Sequence, residues 1–255
     1  IIHANAWLPS TRLLILDELH KMEGWKNYLK GLYDTKPAHL QILVTGSARL
    51  NALKKTGDSL AGRHFYYRLH PFDLKELFQA RLSMSEKEAF QRLMAVGGYP
   101  EPFIMGDENE YRRWRQTHLD IILRQDLNDL ESIKDIRSME VLIQLLRSRV
   151  GSVISANALA ADLHKDPKTV QRWFEILEDL FVIFRVTPYH KDISRSVKKE
   201  PKFYFYDTGF VQGTEAQKLE NLVACALLKE CHFQMDAKGR PFQLHFLKNE
   251  RWYSS

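Results

Sequence analysis

Leu13-Leu14-Ile15-Leu16-Asp17-Glu18 joins four aliphatic side chains directly to two carboxylates. An uninterrupted aliphatic run of this length suits a strand buried on both faces of a parallel sheet. Acids at its tip suit a nucleotide-hydrolysing site, where one carboxylate holds Mg²⁺ and its neighbour polarises the attacking water. Asp17 is the candidate for the first role and Glu18 for the second. The same hexamer is also compatible with a buried strand whose acids merely cap the next turn, so its surroundings have to decide.

Downstream, residues 24–33 carry a helical pattern, and Leu40 to Val44 form a second aliphatic run ending in Thr45-Gly46-Ser47. Strand, helix and strand at this spacing make a βαβ unit. In a P-loop ATPase the neighbouring strand ends in a polar residue that reaches the γ-phosphate, and Thr45 and Ser47 supply that chemistry. Arg63 is a candidate arginine finger or sensor for charge developing on the phosphate, with a salt-bridged surface arginine as the alternative. A third β-like run covers His64 to Leu69, followed by an amphipathic stretch from Phe72 to Ala80.

The phosphate-cradling pattern G-x-x-x-x-G-K-[ST] occurs nowhere in the 255 residues. The sequence opens Ile1-Ile2-His3, and a Walker A loop is expected upstream of it. The chain by itself is therefore expected not to hydrolyse ATP.

Residues 85–151 read as helices over Glu86–Ala95, Glu108–Asp126 and Ile136–Arg149, with Gly97-Gly98-Tyr99-Pro100 as a separating turn. Beyond them, Ser155 is an N-cap for a helix over 156–164. Asp166-Pro167 restarts the chain as a second helix, with Asp as cap and Pro at the first helical position. Two helices joined by so short a turn make a helix-turn-helix. Lys168, Gln171 and Arg172 are its groove-facing candidates. Strands over 181–186 and 202–206 enclose a basic loop carrying Lys191, Arg195, Lys198 and Lys199, as a phosphate-contacting wing requires. Many such modules only pack on other domains, so DNA contact stays one of two alternatives. A last helix spans 218–231, with Glu220 and Glu230 on an exposed face, and a strand-like run covers 242–247.

Composition excludes several classes. No stretch nears the roughly 18 apolar residues that span a bilayer, and no signal peptide is present, so a cytoplasmic protein is expected. Cys225 and Cys231 read as reduced thiols, and the ten histidines form no zinc-like cluster. A net charge of +5 permits nucleic-acid contact without arguing for it.

Taken together, Leu13 to Lys21, Leu43 to Ser47, Leu60-Ala61-Gly62-Arg63, Gly97 to Pro102, Phe203 to Phe210 and Leu219 to Val223 resemble prokaryotic AAA-type ATPases with a C-terminal domain of unknown function. The resemblance implies an α/β multidomain chain. It would comprise part of a P-loop ATPase core (1–82), a helical linker (83–151), a winged helix (152–212) and a truncated, restriction-endonuclease-like end (213–255). It also implies ATP and Mg²⁺ as cofactors of the intact protein, with Asp17 and Glu18 in the ATP site, Thr45 or Ser47 as sensor and Arg63 as the arginine. DNA, a protein partner and self-association are the expected kinds of contact. The rival expectation is a DNA-binding regulator without ATPase activity.

Overall fold

The computed structural model describes residues 8, 10–46, 60, 62–80, 83–123, 135–191 and 199–247. Two compact units divide the chain, residues 1–66 and 67–255. The architecture is mixed α/β, mostly helical with small sheets.

In the first unit β1 (Leu13–Leu16) runs parallel to β2 (Gln41–Val44), with Leu13 opposite Gln41 and Leu16 opposite Val44. Between them lie a 3₁₀ turn (Leu19–Lys21) and α1 (Trp25–Thr35), which starts at Gly24 in the left-handed region at φ 71°. The expectation of strands buried on both faces is not met. Leu13, Ile15 and Leu43 are 48%, 58% and 48% exposed, so the pair hides only alternate side chains. Residues 64–69 join no ladder among the described residues. Phe65, Tyr67 and Leu69 alternate outward at 86%, 65% and 99% exposure, β-like in sequence but without a neighbouring strand to supply hydrogen bonds.

The second unit begins with α2 (Leu74–Gln79), α3 (Glu86–Val96), α4 (Pro100–Met105), α5 (Glu108–Ile121) and α6 (Ile136–Arg147). Side chains of Asp73, Ser85, Asp107 and Asp135 accept first-turn N–H groups of α2, α3, α5 and α6, as N-caps do. Helix α4 falls where a turn was expected, because Pro100 at its first position lacks only an N–H that the helix would leave unpaired.

Next come α7 (Ala156–Leu163) and α8 (Pro167–Asp179), joined through His164 at φ 52°. Asp166 caps α8 through Lys168 N, whereas Ser155 precedes α7 without a side-chain cap. Strand β3 (Ile183–Pro188) pairs antiparallel with β4 (Lys202–Phe205) and parallel with the short β5 (His245–Phe246). Helix α9 runs from Glu215 to Lys238, longer than its sequence reading. A Thr214–Gln217 capping box opens it and Gly239 closes it in the left-handed region. Leu142, Ile143, Leu159, Phe174, Leu177, Ile183 and Phe205 are among the buried core side chains of this unit.

Candidate functional site

Parallel pairing of β1 and β2 brings their C-terminal ends side by side, where open α/β sheets place ligands. Thr45 N donates to Leu16 O at 3.0 Å, extending the ladder past the strand ends. The Thr45 hydroxyl then donates to Asp17 Oδ1. This contact orients an exposed carboxylate at the strand tip. Glu18 adopts φ 51°, an uncommon left-handed conformation for a glutamate, and pairs with Lys21 at 2.9 Å and with His20 at 3.7 Å. A carboxylate and a hydroxyl are hard oxygen donors. They suit Mg²⁺, which takes one or two protein carboxylates and completes its shell with water and phosphate. Arg63 meets a different partner, with its guanidinium 3.6 Å from Asp34 of α1. Ser47 lies outside the described residues.

In the α7–α8 pair, Val170, Trp173, Phe174 and Leu177 turn α8 into the core, and the Phe174 ring packs tilted against Phe203 of β4 at 4.4 Å between centroids. Lys168 and Arg172 stay exposed and Gln171 half-exposed on the opposite face. Lys191 and Lys199 are exposed on either side of the β3–β4 connection, while Arg195 and Lys198 lie outside the described residues.

Sequence reasoning missed a third cluster. Asp207 is only 2% exposed. Its Oδ1 accepts the Gly98 N–H at 2.6 Å, the N–H groups of Tyr99 and Gly209 also favour its charged form, and its Oδ2 is buried without a hydrogen-bond partner. Burial pushes its pKa up to about 7, against the pull of those three donors. Beside it, Cys225 of α9 donates its thiol to Phe205 O at 3.0 Å, and burial raises that thiol well above its usual range. His70 meets His232 at 2.8 Å. Burial, followed by the charges of Lys229 and Arg68, lowers His70 to about 4. The pocket between His70, Asp207, Cys225 and Lys229 encloses about 20 Å³, room for roughly one water. It lies at the junction of residues 70–73, the Asp207 turn and α9. The available signal was the repetition of glycine and acid in Gly97-Gly98-Tyr99 and Asp207-Thr208-Gly209. Glu220, expected on an exposed face, accepts the Tyr204 hydroxyl at 2.8 Å and Lys202 at 3.1 Å.

Among the described residues no group of three or more His, Cys, Asp or Glu could hold a metal unaided, and no helix is long and apolar enough to cross a membrane.

Comparison with known proteins places these features. Residues 2–78 match the AAA domain, and residues 87–219, just over half of the chain, match the domain of unknown function DUF8612. The protein Rv2008c of Mycobacterium tuberculosis is 26% identical over 199 residues, 78% of this chain and 43% of that protein. MJ1544 of Methanocaldococcus jannaschii is 25% identical over 193 residues, 69% of this chain and again 43% of the relative. The chain thus spans less than half the length of these relatives. Among solved structures, the Walker-type ATPase PABY2304 of Pyrococcus abyssi covers 81% of this chain and 63% of its own, at 18% identity and a TM-score of 0.41. The chain belongs to the family of the DUF8612 domain, which here follows a stretch that matches the AAA domain.

Proposed function

We propose that the intact protein binds and hydrolyses ATP at the tip of β1 and uses the change to alter how its winged helix meets DNA. The observation that carries this reading is the hydroxyl of Thr45 held on the carboxylate of Asp17, across two parallel strands matched by an AAA domain. Mg²⁺, when bound with ATP, neutralises phosphate charge. Asp17 positions it, Glu18 orients the attacking water, and Thr45 or Ser47 senses the γ-phosphate. Arg63 would have to leave Asp34 to reach phosphate. Both side chains of that pair are at least a third exposed, so breaking it costs no more than about 1 kcal/mol.

Glu18→Gln in the intact protein is expected to slow ATP hydrolysis at least about 100-fold while leaving nucleotide binding in place. Hydrolysis at the normal rate would remove Glu18 from the mechanism and favour a DNA-binding regulator without ATPase activity.

The DNA half of the proposal rests on the exposure of Lys168 and Arg172 on α8, with Lys191 and Lys199 beside the wing. Fluorescence anisotropy of a labelled duplex titrated with this chain should show affinity falling as salt rises. Each of Lys168→Ala and Arg172→Ala should lower the salt slope by about one charge. If the chain does not bind at low salt, α8 serves packing and the partner is a protein.

A further inference from the structure

Helix α9 grips residues 68–76 and β4 by two sets of polar side chains, on either side of a place where His70 and Tyr206 already meet, 5.6 Å between ring centroids. Toward its C-terminal end, Asp236 takes a two-pronged grip from Arg68, with Nε at 2.9 Å and Nη2 at 2.7 Å, and also accepts the Arg68 N–H at 3.2 Å. One turn earlier His232 meets His70. Lys229 donates to Pro71 O at 3.0 Å, lies 3.2 Å from Asp73 and bonds to Glu76. Positions 229, 232 and 236 share one helix face and clasp residues 68–76, the stretch that immediately follows the first unit.

Nearer the N-terminal end, Asn221 is fully buried and reads β4 with both halves of its amide. Its Oδ1 accepts Phe205 N at 2.9 Å, and its Nδ2 donates to Phe205 O at 3.0 Å and to Thr208 Oγ1 at 3.1 Å. Cys225 and Glu220 add the contacts to Phe205 and Tyr204 already described. Asn221 and Asp236 stand roughly 22 Å apart along the helix axis at 1.5 Å per residue.

We infer that α9 is a mechanical rod that, alongside the direct contact of His70 with Tyr206, ties the chain's entry into the second unit to β4, so that displacement of residues 68–76 is delivered to that strand. The first grip holds the irregular stretch that leads into α2, and the second holds a strand. Both are charge-assisted or fully buried hydrogen bonds on a single continuous helix, which resists bending between them. Use of the rod as a relay from ATP to DNA rests on the proposed function. The linkage itself needs neither nucleotide nor DNA, and its test includes neither.

Hydrogen exchange by mass spectrometry on this chain tests it, comparing the parent with Asp236→Asn and with the milder Arg68→Lys, which keeps the charge but loses the fork. The expected result is exchange at least tenfold faster in residues 67–73, together with several-fold faster exchange in residues 202–206. Exchange in α7 and α8 should stay unchanged. Asn221→Ala should produce the reverse pairing, loosening 202–206 and with it 67–73. Loosening at 67–73 with β4 unmoved would overturn the rod, leaving α9 with two independent grips. A uniform loss of protection through α7 and α8 in both clasp variants would overturn it too, because only global stability would then join the ends.

Discussion

Gly97→Ala is expected to destabilise the second unit by about 3–5 kcal/mol, enough to unfold a domain of modest stability. Gly97 ends α3 at φ 78° and ψ −169°, a conformation essentially reserved for glycine. A methyl group there would sit 2.1 Å and 2.2 Å from the two carboxyl oxygens of Asp207. Asp207 cannot yield without releasing the Gly98 N–H, which would be left unpaired in a buried place. Gly98 offers no slack either, because it receives the Phe72 N–H at 2.7 Å and its own Cβ would meet Phe72 O at 2.4 Å. Denaturant unfolding followed by circular dichroism measures the cost. Removing the clash with Asp207→Ala in the same chain should make the double substitution cost at least about 1 kcal/mol less than the sum of the singles. A Gly97→Ala loss below 1 kcal/mol would refute the steric account.

The second large effect concerns pH, where two buried groups oppose each other. Asp207 titrates near 7 when folded and near 3.9 when unfolded. Its contribution to stability is therefore complete below about pH 4 and disappears as pH rises through 7, a swing on the order of 4 kcal/mol. His70 behaves in the opposite sense. It titrates near 4 folded and near 6.5 unfolded, so its contribution is present above pH 6.5 and is lost as pH falls toward 4, a swing of about 3 kcal/mol. Between pH 4 and 6.5 the two slopes nearly cancel in the parent chain. Relative to that parent, Asp207→Asn should gain stability as pH rises from 4 to 7.5. His70→Gln should gain stability as pH falls from 6.5 to 4. Unfolding free energies at four pH values distinguish these slopes, and parallel profiles for all three proteins would rule out both assignments.

What the sequence made legible follows from range. Aliphatic runs at 13–16 and 40–44 and the Asp166-Pro167 start signal are local patterns, and each produced the expected element. The Asp17–Thr45 contact came within reach because a βαβ unit fixes which strand ends adjoin. Residues 64–69 misled because β-like alternation says nothing about whether a neighbour exists to complete a ladder. Helix α4 was hidden by its two prolines, which are tolerated at first-turn positions yet read as breakers. The end of α9 was placed early because its final turns are clasped through polar side chains, and Lys229, His232 and Asp236 leave no apolar period to follow. Least legible of all was Asp207, which bonds to a turn 109 positions away in sequence, a distance that no local pattern crosses.

Asp207 and its glycines also constrain how this family can change. Position 97 cannot accept a side chain while the acid at 207 stays, and the acid cannot leave without stranding the Gly98 amide hydrogen that it binds. Gly209 is hemmed in independently, since a methyl group on it would lie 2.3 Å from the Tyr111 hydroxyl. Single-step drift at any of these sites passes through a badly destabilised ancestor, so the positions should be inherited as a block. Related chains should keep the glycines and the aspartate together or replace them together, and this junction should diverge more slowly than the exposed surface.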